Sequence, residues 1–223
     1  MPNYDKEIEL LAMNPHEFSP VVISGNSGNG KSTFLETFCK RRRELYEPSF
    51  SKWKNSEYMK IIKSEELIES IAKSISADNK SWRDKFIDDD VIVIDDFELL
   101  SGKIHTQEEL FSYFIVCNKA IVIATSSEIR TPSFITGLSS FFSTGAHIHI
   151  DDPDKDSKLD FLTYQLTVNN LFVDEDALLW LTDQNFASFA AIKGFIKTLR
   201  FFKTDSAYTL EDCKRLAKSY ITI

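Results

Sequence analysis

The sequence predicts an α/β fold: a five-stranded parallel sheet with flanking helices, followed by a small all-helical lid domain. Three observations lead there. Short apolar runs such as Val21-Val-Ile23, Val91-Ile-Val-Ile94 and Ala120-Ile-Val-Ile-Ala124 alternate with amphipathic segments, as strands buried on both faces and their crossover helices do. The stretch Gly25-Asn26-Ser27-Gly28-Asn29-Gly30-Lys31-Ser32 has the G-x-x-x-x-G-K-[ST] spacing of a phosphate-binding loop, with a strand before it and helical Thr33–Lys40 after it. Beyond Asp151-Asp152-Pro153 every segment reads as helix. The expected domains are therefore 1–152, binding nucleotide, and 153–223, a helical lid, with nucleotide between them.

Residues 4–13 form an amphipathic helix that Asn14-Pro15 ends, because a residue before proline disfavours the helical region. The helix after the loop runs into Lys40-Arg41-Arg42-Arg43, which compensates the helix dipole or contacts nucleic acid. Pro48–Asn55 reads as a loop and Tyr58–Ile62 as a second strand. Ser64 is the expected N-cap of a helix with Leu67, Ile68, Ile71 and Ile75 on one face. A second short helix spans Lys80–Phe86. The acidic turn Asp88-Asp89-Asp90 launches the most apolar strand. Ser101–Thr106 is a loop, and Thr106-Gln-Glu-Glu109 caps the next helix as a capping box. Phe134–Phe142 is a short helix, and Ala146–Ile150 is a fifth strand. His147 and His149 share one face of it, because strand side chains alternate, and are expected to face solvent. Helices over 155–168, 174–183, 188–203 and 209–219 complete the chain.

The loop predicts chemistry. Its glycines let backbone N–H groups close around phosphate oxygens, and the following helix adds a partial positive charge. Residues Gly25 to Thr33 are the candidate nucleotide contacts, with Lys31 reaching the β- and γ-phosphates and the Ser32 hydroxyl on Mg²⁺. Val91–Ile94 ends in Asp95-Asp96, and a parallel strand delivers such carboxylates to the edge where the loop sits. Asp95 is the candidate second Mg²⁺ ligand. Asp96 is the candidate for orienting or deprotonating the attacking water. Thr125-Ser126-Ser127 closes the fourth strand, and Ser126 is placed to touch the γ-phosphate or that water, unless it is an ordinary polar turn.

Composition narrows the class. The chain has 223 residues, 43% hydrophobic, enough for a packed core. A net charge of −8 makes it a poor non-specific DNA coat. Cys39, Cys117 and Cys213 form no C-x-x-C pair and read as reduced thiols of a cytoplasmic protein. No apolar stretch approaches a membrane span.

The segments Trp82-Arg-Asp-Lys-Phe86, Val91-Ile-Val-Ile-Asp-Asp-Phe97 and Gly102-Lys103-Ile-His-Thr106-Gln107-Glu108-Glu109-Leu-Phe111 together resemble the AAA+ ATPases. Within them they resemble the bacterial replication initiator DnaA and its shorter relative Hda. The Lys103/Thr106-Gln-Glu-Glu spacing is not generic to AAA+ proteins. Ile61–Ile71 and Tyr208-Thr-Leu-Glu-Asp extend the resemblance over nearly the whole chain. It implies ATP or ADP with Mg²⁺ as cofactors, and the initiator DnaA or another replication protein as partner. The sliding clamp is a further candidate partner, although residues 1–13 hold no glutamine-led, aromatic-ended peptide. The initiator's helix-turn-helix domain has no counterpart here, so no duplex-reading domain is expected. The adenine-cradling segment has no clear equivalent ahead of the first helix.

Two family arginines are replaced. Phe141 stands where L-R-S-R-F supplies an arginine finger, and Ala190 stands at the lid arginine. A finger is worth roughly 10³–10⁵ in rate, so the resemblance with these departures implies at most a weak ATPase. Some family members bind single-stranded DNA between the second and third strands. Residues 64–86 match that region, with Lys73, Lys80, Arg83 and Lys85 for the backbone and Trp82 as a stacking platform. The competing reading is an amphipathic helix pair packed on the sheet. The expected function is regulating or assisting replication initiation. An active ATPase such as a helicase loader, and a nucleotide-independent scaffold, are the alternatives.

Overall fold

The computed structural model describes residues 4–46, 59–77, 79, 81–86, 89–202 and 207–221. The expected loop at Pro48–Asn55, and Tyr58, Lys80 and Asp88 at the edges of other expected elements, lie outside the described residues. Contacts group the chain into two compact units, one of Tyr4–Asn26 with Lys31–Ile150 and one holding Ser27–Gly30 with Asp151–Ile223.

The first unit is a five-stranded parallel sheet, β1 (Val21–Gly25), β2 (Ile61–Lys63), β3 (Val91–Asp95), β4 (Ala120–Thr125) and β5 (Ala146–Ile150), in the order β2-β3-β4-β1-β5. The central runs are apolar at every position because both faces are covered. Val22, Ile92, Ile94, Ile121 and Ile123 enter one core, together with helices α4 (Ser64–Ser76), α5 (Ile104–Phe114) and α6 (Thr136–Ser143). Val21, Ile23, Val91, Val93 and Val122 enter the other, against α1 (Asp5–Met13) and α3 (Lys31–Tyr46). A single turn, α2 (Pro15–Phe18), follows α1 with proline at its first position, where a missing N–H costs nothing.

Five local expectations differ from the structure. Strand β2 starts only at Ile61, because Met59 has φ +63°, outside the extended region, and its N–H donates to Asp89 Oδ1 at 2.9 Å. Ser64 does not cap α4; its hydroxyl donates instead to the Asp95 carbonyl at 2.9 Å. Within α4, Leu67 and Ile71 are buried, whereas Ile75 is exposed. The Thr106 capping box is absent because α5 begins at Ile104, putting Thr106 and Gln107 inside the helix and buried. The Gln107 amide donates to the Leu100 and Ser133 carbonyls at 2.7 and 3.0 Å and accepts from Ile135 N–H at 2.7 Å, joining three segments. Ser81–Phe86 is a 3₁₀ helix rather than an α-helix.

The second unit carries α7 (Lys155–Val168), α8 (Glu175–Asp183), α9 (Phe189–Phe201) and α10 (Leu210–Ala217). They enclose their own core around Leu162, Leu181, Phe186, Phe195 and Leu199. Side chains cap three of them. Asp154 accepts from Ser157 N–H, Ser188 accepts from Ala191 N–H, and Thr209 with Asp212 forms a capping box. The three cysteines are free, and burial pushes the Cys39 and Cys213 thiols up to about 12 and about 11. Among the described residues no helix is long and apolar enough to cross a membrane.

Candidate functional site

Parallel strands bring their C-terminal ends to one edge, and there the chemistry of the first unit collects. Strand β1 ends at Gly25, and α3 opens with Lys31 and Ser32 at its N-terminus. Buried Lys31 curls back over the loop, its Nζ donating to the Gly25 carbonyl at 2.8 Å and the Asn26 carbonyl at 3.0 Å. Desolvation pulls this ammonium below the ordinary lysine value, opposed by the nearby carboxylates of Glu98, Asp95 and Asp96. The Ser32 hydroxyl donates to Asp95 Oδ2 at 2.7 Å. Thr33 lies in the first turn of α3.

Asp95 closes β3 and is 1% exposed. Its neighbour in the sheet register is Lys63, the last residue of β2. Lys63 Nζ lies 2.5 Å from Asp95 Oδ2 and 2.9 Å from Asp96 Oδ2. Burial lowers the Lys63 affinity for its proton, but the hydrogen bonds to the two aspartates outweigh this and hold it above the usual lysine range. Asp96 turns the chain in the left-handed region, φ +56°, and its N–H donates to Asp95 Oδ1 at 2.9 Å. In the 3₁₀ helix Phe97–Leu100, Glu98 accepts from Ser126 N–H at 3.0 Å and from the Ser126 hydroxyl. The ends of β1, β3 and β4 thus bring Lys31, Ser32, Asp95, Asp96 and Ser126 to one edge. Ser24, Asn26, Ser126, Arg130, His147 and His149 are among the residues lining a cavity of about 470 Å³ beside it. Both histidines are exposed, His149 Nδ1 lying 3.0 Å from Ser24 Oγ and His147 Nε2 lying 3.0 Å from the Phe142 carbonyl oxygen.

The tip of the loop, Ser27–Gly30, belongs to the second unit. The Gly28 carbonyl accepts from Ala190 N–H at 3.3 Å, and Asn29, 1% exposed, donates to Asp152 Oδ1 at 2.5 Å. Gly28 has φ +83°, and a Cβ there would lie 2.6 Å from Ser188 Oγ and 2.7 Å from Ala190 Cβ. Only glycine fits that backbone and that space.

Six side chains read as candidate nucleic-acid contacts have partners within the protein. Trp82 is not a stacking platform: it is 2% exposed, edge-to-face with Tyr113 and Phe86 at ring separations of 5.2 and 6.2 Å. Arg83 lies over the Trp82 and Tyr113 rings and reaches Glu109 at 3.7 Å, while Lys85 pairs with Glu66 at 2.5 Å and Lys73 with Glu69 at 3.6 Å. Leu67 and Ile71 of α4 and Trp82 and Phe86 of the 3₁₀ helix share one core with the sheet. In the cluster after the loop, Arg41 pairs with Glu9 and Glu44, and Arg42 donates to the Ala12 carbonyl and pairs with Asp90. These two side chains tie α3 to α1 and to the start of β3. Phe141 packs among Phe111, Phe114 and Phe142.

Sequence reasoning missed Lys63 and Glu98. Glu98 sits three residues after Asp95, so D-D-F-E offered a third carboxylate. Lys63 carried no local signal, since only the pairing of β2 with β3 sets it beside Asp95.

Comparison with known proteins places the fold. DnaA of Crocosphaera subtropica is 26% identical over 183 residues, covering 80% of this chain and 38% of the relative, and DnaA of Helicobacter hepaticus is 22% identical, covering 95% and 46%. The chain spans less than half the length of these relatives. Domain III of Thermotoga maritima DnaA superposes with a TM-score of 0.83 at 24% identity, covering all of this chain and 94% of that one. A replication initiator DnaA bound to AMPPCP and single-stranded DNA superposes at 0.73, with 20% identity and 94% and 63% coverage. At these identities the superpositions show the shared fold. The family model for the bacterial DnaA ATPase domain matches residues 6–148, and the chain belongs to that family.

Proposed function

We propose that this chain is a DnaA/Hda-like nucleotide-binding protein, with residues 1–152 binding nucleotide and 153–223 acting as the lid. It regulates or assists initiation of DNA replication through protein partners and hydrolyses ATP slowly or not at all. The observation that carries the reading is the Ser32–Asp95 hydrogen bond at 2.7 Å beside buried Lys31, at the N-terminus of the helix that follows the glycine-rich loop. Loop amides and Lys31 would hold the phosphates, and Ser32 Oγ and Asp95 Oδ2 are the hard oxygen donors that would hold Mg²⁺ once the Lys63 ammonium leaves Oδ2. The metal would neutralise phosphate charge. Asp96 would orient or deprotonate a water, and Ser126, held by Glu98, would face the same edge. Phe141 and Ala190 at the two arginine positions favour a site that holds nucleotide over one that turns it over. The neighbour bound to AMPPCP and single-stranded DNA supports nucleotide as ligand and replication as setting.

Titrating a fluorescent ATP or ADP analogue, then measuring turnover with and without a bacterial replication initiator, tests the reading. Binding with negligible turnover is expected. Lys31→Ala should abolish binding while leaving the protein folded, and unchanged affinity in that variant would remove the phosphate-loop assignment. Rapid turnover by the protein alone would favour an active motor instead.

A further inference from the structure

We propose that the Lys63 ammonium is a tethered cation standing in for a divalent metal at Asp95 and Asp96, so that this chain binds nucleotide with little dependence on Mg²⁺. The inference rests on the nucleotide-binding reading above and adds a metal requirement set by one side chain.

A carboxylate as buried as Asp95 needs a compensating charge. Lys31, the cation expected at this edge, gives its hydrogen bonds to the Gly25 and Asn26 carbonyls instead. Lys63 supplies the charge, with one ammonium bonded to both aspartates at 2.5 and 2.9 Å. The oxygen it meets on Asp95 is Oδ2, which also accepts the Ser32 hydroxyl at 2.7 Å. The one carboxylate oxygen placed beside Ser32 is therefore already held by a positive charge. Mg²⁺ demands near-ideal octahedral geometry at close range and gives up its waters reluctantly, so to reach Oδ2 it must displace the ammonium. The ammonium requires no dehydrated metal and offsets one of the two carboxylate charges at this edge. Its side chain is 52% exposed, so replacing it removes no core packing.

The test titrates a fluorescent ATP analogue into wild type, Lys63→Met and Lys63→Arg, each in Mg²⁺ and in EDTA, with melting curves to confirm folding. Wild-type affinity should change by less than about threefold between the two conditions. Lys63→Met should lose about tenfold or more in EDTA and recover in Mg²⁺, the scale of one hydrogen bond to a charged group, and Lys63→Arg should follow wild type. Wild type and Lys63→Met sharing the same metal dependence would overturn the inference and leave nucleotide binding standing. Absence of wild-type binding in both conditions would overturn the nucleotide reading and this inference with it. Should Lys63→Met not fold, wild type decides alone: a loss of about tenfold in EDTA sinks the proposal.

Discussion

Replacing Trp82 separates a core side chain from a nucleic-acid platform. The indole is 2% exposed and wedged between the 3₁₀ helix and α5, edge-to-face on Tyr113 and Phe86 and beneath the Arg83 guanidinium at 5.4 Å. Truncating a buried tryptophan to alanine costs about 3–5 kcal/mol, because the lost transfer energy is joined by a cavity that the neighbours fill only partly. The aromatic pairs account for about 0.5–1.5 kcal/mol each within that total. For a unit of this size each kcal/mol moves the midpoint by roughly 2–4 °C, so Trp82→Ala should melt roughly 6–20 °C below wild type. Far-UV circular dichroism on heating, with a urea titration alongside, measures it. Trp82→Phe keeps a ring against Tyr113 and should lose less. A Trp82→Ala protein that melts within a degree or two of wild type, yet binds single-stranded oligonucleotide more weakly, would refute the burial argument and restore the ring to the surface.

Asp96→Asn should keep nucleotide affinity and lose residual hydrolysis, as read by phosphate release; persisting turnover would place the water-orienting role elsewhere at this edge, with Glu98 the next carboxylate. Ser188→Ala removes the side-chain cap of α9 and should cost about 1 kcal/mol in urea unfolding of the helical unit. Hydrogen bonds from the Ser157 backbone and side chain hold the Asp154 carboxyl below its ordinary 3.8. The unfolded chain therefore binds that proton more readily, and the cap's contribution is present above pH 3.8 and lost as pH falls through the lowered native value. Asp154→Ala should flatten that part of the acid stability profile, and an unchanged slope would remove the cap from the acid response.

The strands and the loop were legible because their signals are local. A run such as Val91–Ile94 buries both faces wherever it lies in a parallel sheet, and the glycine spacing of the loop encodes its own backbone. The missed features needed partners distant in sequence. Ser64 and Thr106 carried genuine capping signatures, yet the Ser64 hydroxyl bonds a strand carbonyl, and Thr106 lies inside a helix that starts two residues before it. Local hydrogen-bond preference yields when a neighbouring segment offers a buried partner.

By itself the sequence determined that β1, a glycine-rich loop and α3 follow one another, that Asp95-Asp96 ends an apolar strand, and that the last third is helical. Periodicity and motif spacing are properties of neighbours along the chain. Only the tertiary structure decided what those groups face. The strand order β2-β3-β4-β1-β5 sets Lys63 against Asp95 and Glu98 against Ser126, and packing against α5 sets Trp82 against Tyr113. Each of these contacts joins residues whose side chains meet only after the sheet is assembled, and the charge at the candidate site is set by that assembly.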